Sequence, residues 1–330
     1  MKEKITTLFQ ETKCLIQSCK DFGFGAGIKY MYYKTRFVYL HKGMDNLINF
    51  EYHYLKTFLS KQIADYNSHT SVNNAPASTN VWVCWWQGEE SMPEWCRMCF
   101  NNLKQNIPMD YTLTLITKEN VREFVNIPQY IYDKVDSGDL TITQFSDILR
   151  EALIYFQGGL WVDASVWTMP DFYERIDTSK EFYSIKLGYI HRPEMIGQKI
   201  SRCMWSGFFM YGKKGCLVTK FAFDGMCSYY KRHTVTIDYF IQNIIIRIGY
   251  DNVKQIRDLI DDYPVNNINL YTLPDQVYAN AKFDSELWRN LTSNTSVFKI
   301  TQKRDYKSEV DGEMTFYGYL RKIYQKRNSF

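Results

Sequence analysis

Residues 145–165 read FSDILREALIYFQGGLWVDAS, and within this stretch a helical pattern changes to a strand pattern. In its first half, apolar residues recur every three or four positions, which is typical of a helix with one buried face. Gly158 and Gly159 then favour a left-handed helix end and a tight reversal. The residues that follow, Leu160-Trp161-Val162, predict a short buried strand. We therefore expect Asp163 just past the carboxyl end of a strand.

Polar side chains of this stretch are candidates for a binding site. Asp147 and Arg150 are three positions apart, so they are neighbours on one side of the predicted helix. In open α/β sheets, ligands bind beyond the carboxyl ends of the strands, which is where we expect Asp163. Ser165 adds a hydroxyl, and the small residues Ala164 and Ser165 leave room there for a metal or a diphosphate. The alternative is that Asp147 and Arg150 form an ordinary exposed helix pair.

Predicted strands and helices alternate after residue 80, which indicates an α/β fold. Besides 160–162, the predicted strands are 81–87, 111–117, 182–185, 206–212 and 297–303. A helix is expected to begin near residue 236, where Asp238 would be an acidic residue in the first turn. Residues 1–67 predict a basic, aromatic-rich helical appendage. The small polar residues of 68–80 predict a linker, so the α/β domain spans 81–330.

The run SDILR followed by GGLWVDAS resembles the core of the DXD-type glycosyltransferases with a GT-A fold, in particular the bacterial capsular polysaccharide synthesis proteins. The resemblance implies a Rossmann-like mixed sheet flanked by helices. It implies that Asp147 and Arg150 hold the donor sugar, that Trp161 flanks the donor, and that Asp163 binds the nucleotide ribose or a divalent metal. The second acidic position of the DXD pattern is Ser165 here. The implied ligands of Mn²⁺ or Mg²⁺ are therefore Asp163 and Ser165.

The same resemblance implies roles outside the central stretch. The end of the first strand would hold the nucleotide base, and the residues there are Trp85, Trp86 and Gln87. Asp238 would lie near the reacting sugar and complete a catalytic set with Asp147, Arg150 and Asp163. Lys303 or a neighbour would contact the donor diphosphate. Residues 81–165 would form the nucleotide-binding half, and residues 166–330 the acceptor half with a basic C-terminal segment.

The implied activity is transfer of a sugar from a nucleotide-diphosphate donor, with a UDP-sugar favoured. The acceptor would be a hydroxyl of a capsule or surface polysaccharide precursor, either lipid-linked or a free oligosaccharide, and the anomeric configuration would be retained. One alternative is a non-catalytic GT-A-like scaffold subunit of a membrane-associated assembly complex. Another is a sugar-phosphate transferase on a similar scaffold.

The formal net charge of +4 is unevenly distributed over the 330 residues. Residues 1–61 carry ten Lys or Arg against five Asp or Glu, and residues 299–330 carry eight against four. Basic ends favour contact with an anionic surface, such as phospholipid headgroups or a lipid diphosphate. The alternative is an appendage with solvated lysines packed on the main domain. The sequence shows neither a signal peptide nor a membrane-spanning run, so we expect a cytoplasmic protein, free or at the inner face of the membrane.

Several functional classes find no support in the sequence. It has no Walker loop, no H-E-x-x-H motif and no Ser-His-Asp order. The acidic centre and the lack of a reader motif argue against nucleic-acid binding. Cys96 and Cys99 form a lone C-x-x-C without a second ligand pair, which predicts buried thiols on a helix rather than a zinc site.

Overall fold

A computed structural model describes residues 2–68, 72–190, 194–273, 275–301 and 305–327. In chain order the strands are β1 (Asn80–Cys84), β2 (Thr112–Ile116), β3 (Gly159–Val162), β4 (Val166–Thr168), β5 (Phe182–Ser184), β6 (Phe209–Gly212), β7 (Val297–Lys299), β8 (Glu309–Val310) and β9 (Glu313–Met314). The central sheet has the strand order β2-β1-β3-β6-β5. β1 is parallel to β2 and β3, whereas β6 is antiparallel to β3 and β5. The predicted mixed sheet flanked by helices is confirmed.

The helices surround this sheet and also form the N-terminal segment. In chain order they are α1 (Lys2–Phe22), α2 (Phe24–Leu40), α3 (Met44–Phe58), α4 (Ser60–Ser68), α5 (Glu94–Asn106), α6 (Val121–Phe124), α7 (Gln129–Ser137), α8 (Ile142–Gln157), α9 (Ile196–Ser201), α10 (Leu217–Arg232), α11 (Ile241–Asn252), α12 (Lys254–Asp261), α13 (Gln276–Ala279), α14 (Ser285–Ser293) and α15 (Phe316–Arg327). α1 packs on α2, α2 on α3, and α3 on α11. The packing of α3 on α11 is thus one of the contacts between the N-terminal helices and the rest of the protein.

The predicted helix of the central stretch is α8. It begins with a capping box, in which the Thr141 hydroxyl accepts from the Gln144 amide and the Gln144 side chain accepts from the Thr141 amide. Its apolar face is buried, as the three- and four-residue spacing predicted. Gly158 and Gly159 both have positive φ, 71° and 116°. The ψ of Gly158 is 172°, so this residue is outside the left-handed helical region that the sequence predicted.

The carboxyl ends of the parallel strands lie along one edge of the sheet. In the register of β1 and β3, Trp82 is opposite Trp161, so continuing it by two residues places Cys84 beside Asp163. β1 was predicted to extend to residue 87, but it ends at Cys84. The Trp85 carbonyl accepts from the Gly88 amide, which closes a turn directly after the strand. Asp163 is just past the end of β3, as predicted.

A short ladder of β4 and β7 covers this edge and was only partly predicted. β4 has three residues and follows Asp163 almost at once, and Val166 of β4 is opposite Lys299 of β7. The predicted strand 297–303 ends at Lys299, and Lys303 lies outside the described residues. The helix expected from residue 236 begins at Ile241, so Asp238 precedes it.

Two hydrophobic cores stabilise the described part of the chain. The larger one joins the N-terminal helices to the central sheet, and it includes Tyr30 and Leu55 together with Trp161. The smaller one contains Trp95, Trp167 of β4 and Phe298 of β7, so it packs against the β4–β7 ladder. Residues 72–79 form neither helix nor strand. The domain limits at 67, 80 and 165 remain predictions, since both sides of the proposed linker contribute to one core.

Among the described helices, none is both long enough and apolar enough to cross a membrane.

We expect Gly159→Ala to destabilise the protein by about 2 kcal/mol or more, because a Cβ would lie 2.4 Å from the Asn80 carbonyl oxygen and φ is positive. Gly25→Ala is the matched control, since nothing lies within 4 Å of its Cβ position and residue 25 is helical. Chemical denaturation of both variants measures the difference. Equal unfolding free energies in the two variants would contradict the close approach of β1 and β3.

Candidate active site at the carboxyl end of β3

The guanidinium of Arg150 is the centre of a polar cluster. Its Nη1 donates to Asp147 Oδ1 at 2.9 Å and to Gln242 Oε1 at 2.8 Å, and its Nη2 donates to Asp163 Oδ1 at 3.1 Å. The side chain is 5% exposed, and a buried cation needs such partners. α8, the end of β3 and α11 therefore meet at one charge. The exposed helix pair considered for Asp147 and Arg150 is excluded.

Asp163 is bound by cations on both of its oxygens. Oδ1 accepts from Arg150 and, at 2.8 Å, from Trp161 Nε1. Oδ2 accepts from Lys299 Nζ at 2.7 Å, and the same ammonium donates to Ser165 Oγ at 2.9 Å. Lys299 is the last residue of β7, and the pairing of β7 with β4 places it opposite Val166, three residues after Asp163. The Asp163 side chain is 28% exposed, so the cluster is open to a ligand on one side.

The carboxyl groups of the cluster differ in pKa because their surroundings differ. Burial alone would raise the pKa of Asp163, but Lys299 and Arg150 outweigh it and lower this pKa to about 2. Burial raises the pKa of Asp147 to about 6, although Arg150 acts in the opposite direction. Asp163 is thus fully ionised near neutral pH, whereas Asp147 is closer to protonation.

Glu151 forms a second layer behind Arg150. Gln242 Nε2 donates to Glu151 Oε1, so the Gln242 amide joins the arginine to a fully buried carboxyl group. Burial raises the pKa of Glu151 to about 8, although the hydrogen bond from Gln242 lowers it. Gly207 lies against Gln242 and Arg150, since a Cβ at this position would be 2.7 Å from Gln242 Oε1 and 2.9 Å from Arg150 Nη1.

The predicted base-binding residues are at the same sheet edge. Trp85 Nε1 donates to the Ser91 hydroxyl at 2.8 Å. Trp86 is half-buried, with its ring 4.8 Å from Phe145 of α8, and Gln87 is exposed. The structure thus brings the turn after β1 and the helix of the Arg150 cluster together. Base binding by these residues remains a prediction.

Asp238 makes no hydrogen bond to the Arg150 cluster among the described residues. Its carboxylate accepts from the Phe240 amide at 2.6 Å in the loop before α11. Burial raises its pKa to about 6, and Lys34 of α2 acts to lower it. The following residue, Tyr239, is within electrostatic range of Asp147 and Asp163. The predicted catalytic role of Asp238 is untested by this geometry.

The predicted metal ligands do not fit a divalent cation in this arrangement. The ammonium of Lys299 donates to both predicted ligands, Asp163 and Ser165, and its positive charge there would repel a cation. The other oxygen of Asp163 already accepts from Arg150 and Trp161. Hard cations need several oxygen ligands. In the described ranges, no group of three or more His, Cys, Asp or Glu side chains is arranged to hold a metal.

The family of this chain follows from a comparison with models of known families. The model of the capsular polysaccharide synthesis protein matches residues 33–320. The chain belongs to this family. The match includes α3, the central sheet and all the residues of the Arg150 cluster. It confirms the resemblance found in the stretch 145–165.

A second comparison gives a local relative. A segment of 93 residues, 26% of this chain and 22% of the relative, is 27% identical to the O-glycosyltransferase braB of Annulohypoxylon truncatum. The match therefore spans only about a fifth of that relative's length. No solved structure gave a significant match.

Sequence reasoning missed two residues of the cluster, Gln242 and Lys299. Gln242 contacts Arg150 across 92 positions, and Lys299 contacts Asp163 across 136. A lysine of the last predicted strand was expected near the donor, but Lys303 was chosen from that strand. The three-residue β4 would have identified Lys299 through its pairing, but it is too short to be recognised from sequence.

We expect Glu151→Gln to reduce the loss of stability that accompanies rising pH. The pKa of Glu151 is raised from 4.5 to about 8 on folding. Its contribution to the free energy of unfolding is therefore complete below pH 4.5 and is lost as the pH rises through 8. The variant keeps an acceptor for Gln242 but does not titrate. Its unfolding free energy should fall by about 1–4 kcal/mol less than that of the wild type between pH 5 and 9.

Urea denaturation at a series of pH values measures this slope. Glu286→Gln, at an exposed position of α14, is the control and should leave the slope unchanged. A slope in Glu151→Gln equal to that of the wild type would show that Glu151 does not bind a proton on folding.

Proposed function

We propose that the protein is a glycosyltransferase that moves a sugar from a nucleotide-diphosphate donor to a hydroxyl of a capsule or surface polysaccharide precursor. Membership in the capsular polysaccharide synthesis family and the local similarity to an O-glycosyltransferase support this class. The observation that carries the proposal is the buried Arg150, which holds Asp147 and Asp163 together at the ligand-binding edge of the sheet.

The Asp147–Arg150 pair is suited to hold the donor sugar. A carboxylate accepts from sugar hydroxyls, and a guanidinium donates to them in a fixed plane. Asp163 and Gln242 fix the arginine from two sides, so its orientation does not have to be established when the donor binds. We propose that this pair orients the anomeric carbon of the sugar toward the acceptor.

Lys299 is suited to stabilise the departing diphosphate without a resident metal. An ammonium has three N–H donors, and two of them reach Asp163 and Ser165. The third donor has no hydrogen-bond acceptor among the described residues, so it is available for a phosphate oxygen. Fixed positive charge at the place where negative charge develops is a large contribution to catalysis. We propose that Lys299 supplies the charge that a second carboxylate and a metal would supply in a DXD site.

The proposed reaction breaks the bond between the anomeric carbon and the diphosphate oxygen. The electron pair of that bond leaves with the nucleoside diphosphate, and the acceptor oxygen forms the new bond to the anomeric carbon. The acceptor proton passes to the departing phosphate. We propose attack on the same face, which retains the configuration, and a uracil base held by Trp85, Trp86 and Gln87, with a lipid-linked or oligosaccharide acceptor.

We expect Asp163→Asn to lower donor turnover at least about 100-fold, because the variant weakens the charge that fixes both Arg150 and Lys299. Release of nucleoside diphosphate from a panel of UDP-, GDP- and dTDP-sugars measures turnover. Asp177→Asn, at an exposed position that accepts from Ser179, is the control and should be fully active. Thermal unfolding checks that both variants are folded.

A wild-type protein that neither binds nor turns over any donor in this panel would contradict the proposal and favour the non-catalytic scaffold. Release of nucleoside monophosphate would instead favour a sugar-phosphate transferase. NMR of the product determines the anomeric configuration, and an inverted product would exclude retention.

We expect turnover to persist in EDTA within about twofold, and Lys299→Ala to lower it at least about 100-fold. Lys282→Ala, which removes an exposed lysine paired with Glu313, is the matched control. Turnover that is lost in EDTA and restored by Mn²⁺ would contradict metal independence.

A further inference from the structure

Exposed apolar side chains are concentrated on α1 and α2. Among the described residues, eight of the 17 exposed large hydrophobic side chains lie between Leu15 and Leu40. This short segment therefore holds nearly half of them. A groove of about 900 Å³ runs along it and is lined by side chains that include Leu15, Ile28 and Tyr32. Contiguous apolar surface of this kind marks an interaction site.

Four of these side chains form one face of α2. Phe24, Ile28 and Tyr32 follow each other at steps of four, and Tyr39 follows seven positions later, so all four point to the same side of the helix. The opposite side packs on α3, with the Tyr30 ring 6.1 Å from the ring of Phe50. The exposed face is thus not needed to hold α2 in place.

The charges around this face are almost all positive. Residues 12–42 contain six Lys or Arg and one acidic residue, Asp21. The Asp21 carboxylate accepts from the backbone amides of Thr234 and Val235, both at 2.7 Å, so it is turned toward the rest of the protein. Lys29 and Arg36 flank the apolar face on one side of α2, and Arg36 donates to the Tyr32 hydroxyl at 3.3 Å.

We infer that the face formed by α1 and α2 binds the surface of an anionic phospholipid bilayer. Apolar side chains would enter the boundary between headgroups and acyl chains, while the flanking lysine and arginine stems extend to the phosphates. Tyrosine is well suited to this boundary, because its ring is apolar and its hydroxyl is polar. A second copy of the chain is disfavoured as the occupant, since a two-fold contact would bring two basic surfaces together.

This surface is close to the candidate active site. Tyr30 on the packed side of α2 donates from its hydroxyl to the Ile237 carbonyl at 2.7 Å, in the loop that carries Asp238 and Tyr239. One helix diameter, about 10–12 Å, separates the two sides of α2. A bilayer on the exposed face would therefore lie near the loop beside Asp147. Bilayer binding itself requires neither donor nor turnover, so it stands or falls independently of the proposed function.

Co-sedimentation of the full-length protein with vesicles tests the inference. We expect binding to vesicles of phosphatidylcholine and phosphatidylglycerol in equal parts, little binding to phosphatidylcholine alone, and weaker binding at high salt. The double variants Ile28→Ser/Tyr32→Ser and Lys29→Glu/Arg36→Glu should each weaken binding at least about tenfold.

Matched variants change exposed residues elsewhere. Met109→Ser/Val265→Ser removes two exposed apolar side chains, and Lys118→Glu/Lys254→Glu reverses two exposed charges. Both should bind like the wild type, and thermal unfolding shows that all four variants are folded. Absence of wild-type binding, or unchanged binding in either α2 variant, overturns the inference. A wild-type dimer in light scattering that Ile28→Ser/Tyr32→Ser converts to a monomer, without vesicle binding, would assign the face to a second copy.

Discussion

The buried positive charge of Arg150 is the constraint on which the candidate site depends. A guanidinium removed from water is strongly unfavourable unless acceptors surround it. Asp147 supplies one from the same helix, Asp163 one from the end of β3, and Gln242 one from α11. Burial disfavours the charged form, but the neighbouring carboxylates outweigh this and raise the pKa of Arg150. The consecutive elements α8 and β3 and the distant α11 are therefore held in one geometry.

This constraint extends to residues with no charge of their own. Gly207 is adjacent to Arg150 Nη1 and Gln242 Oε1, so any larger residue would push the guanidinium away from its acceptors. Gln242 uses both ends of its amide, accepting from Arg150 and donating to Glu151. Burial raises the pKa of Glu151 to about 8, so near neutral pH this carboxyl group does not add a third negative charge to those of Asp147 and Asp163. Asp147 and Asp163 then balance Arg150 and Lys299, and a bound diphosphate would draw on the same two cations.

The sequence was most informative where structure is determined locally. The spacing of Phe145, Ile148 and Leu149 predicted α8, and the glycine pair predicted its end and the start of β3, because these features depend on near neighbours. Lys299 could not be identified in the same way. Its position depends on a ladder between β4 and β7, whose three-residue strands have no detectable periodicity. Gln242 was missed since a buried glutamine on an isoleucine-rich helix resembles an ordinary polar interruption.

Asp238 connects the candidate site to the N-terminal helices. Its predicted place near the reacting sugar remains a prediction; the neighbouring Tyr239 is within electrostatic range of Asp147 and Asp163. The charge that acts on Asp238 itself is Lys34 of α2, and the same helix holds the loop through Tyr30 and the Ile237 carbonyl. Asp238 lies three residues before Ile241, the first residue of α11, and Gln242 of that helix accepts from Arg150. The N-terminal helices are thus joined to the Arg150 cluster along two routes, through Tyr30 and the loop before α11 and through the packing of α3 on α11.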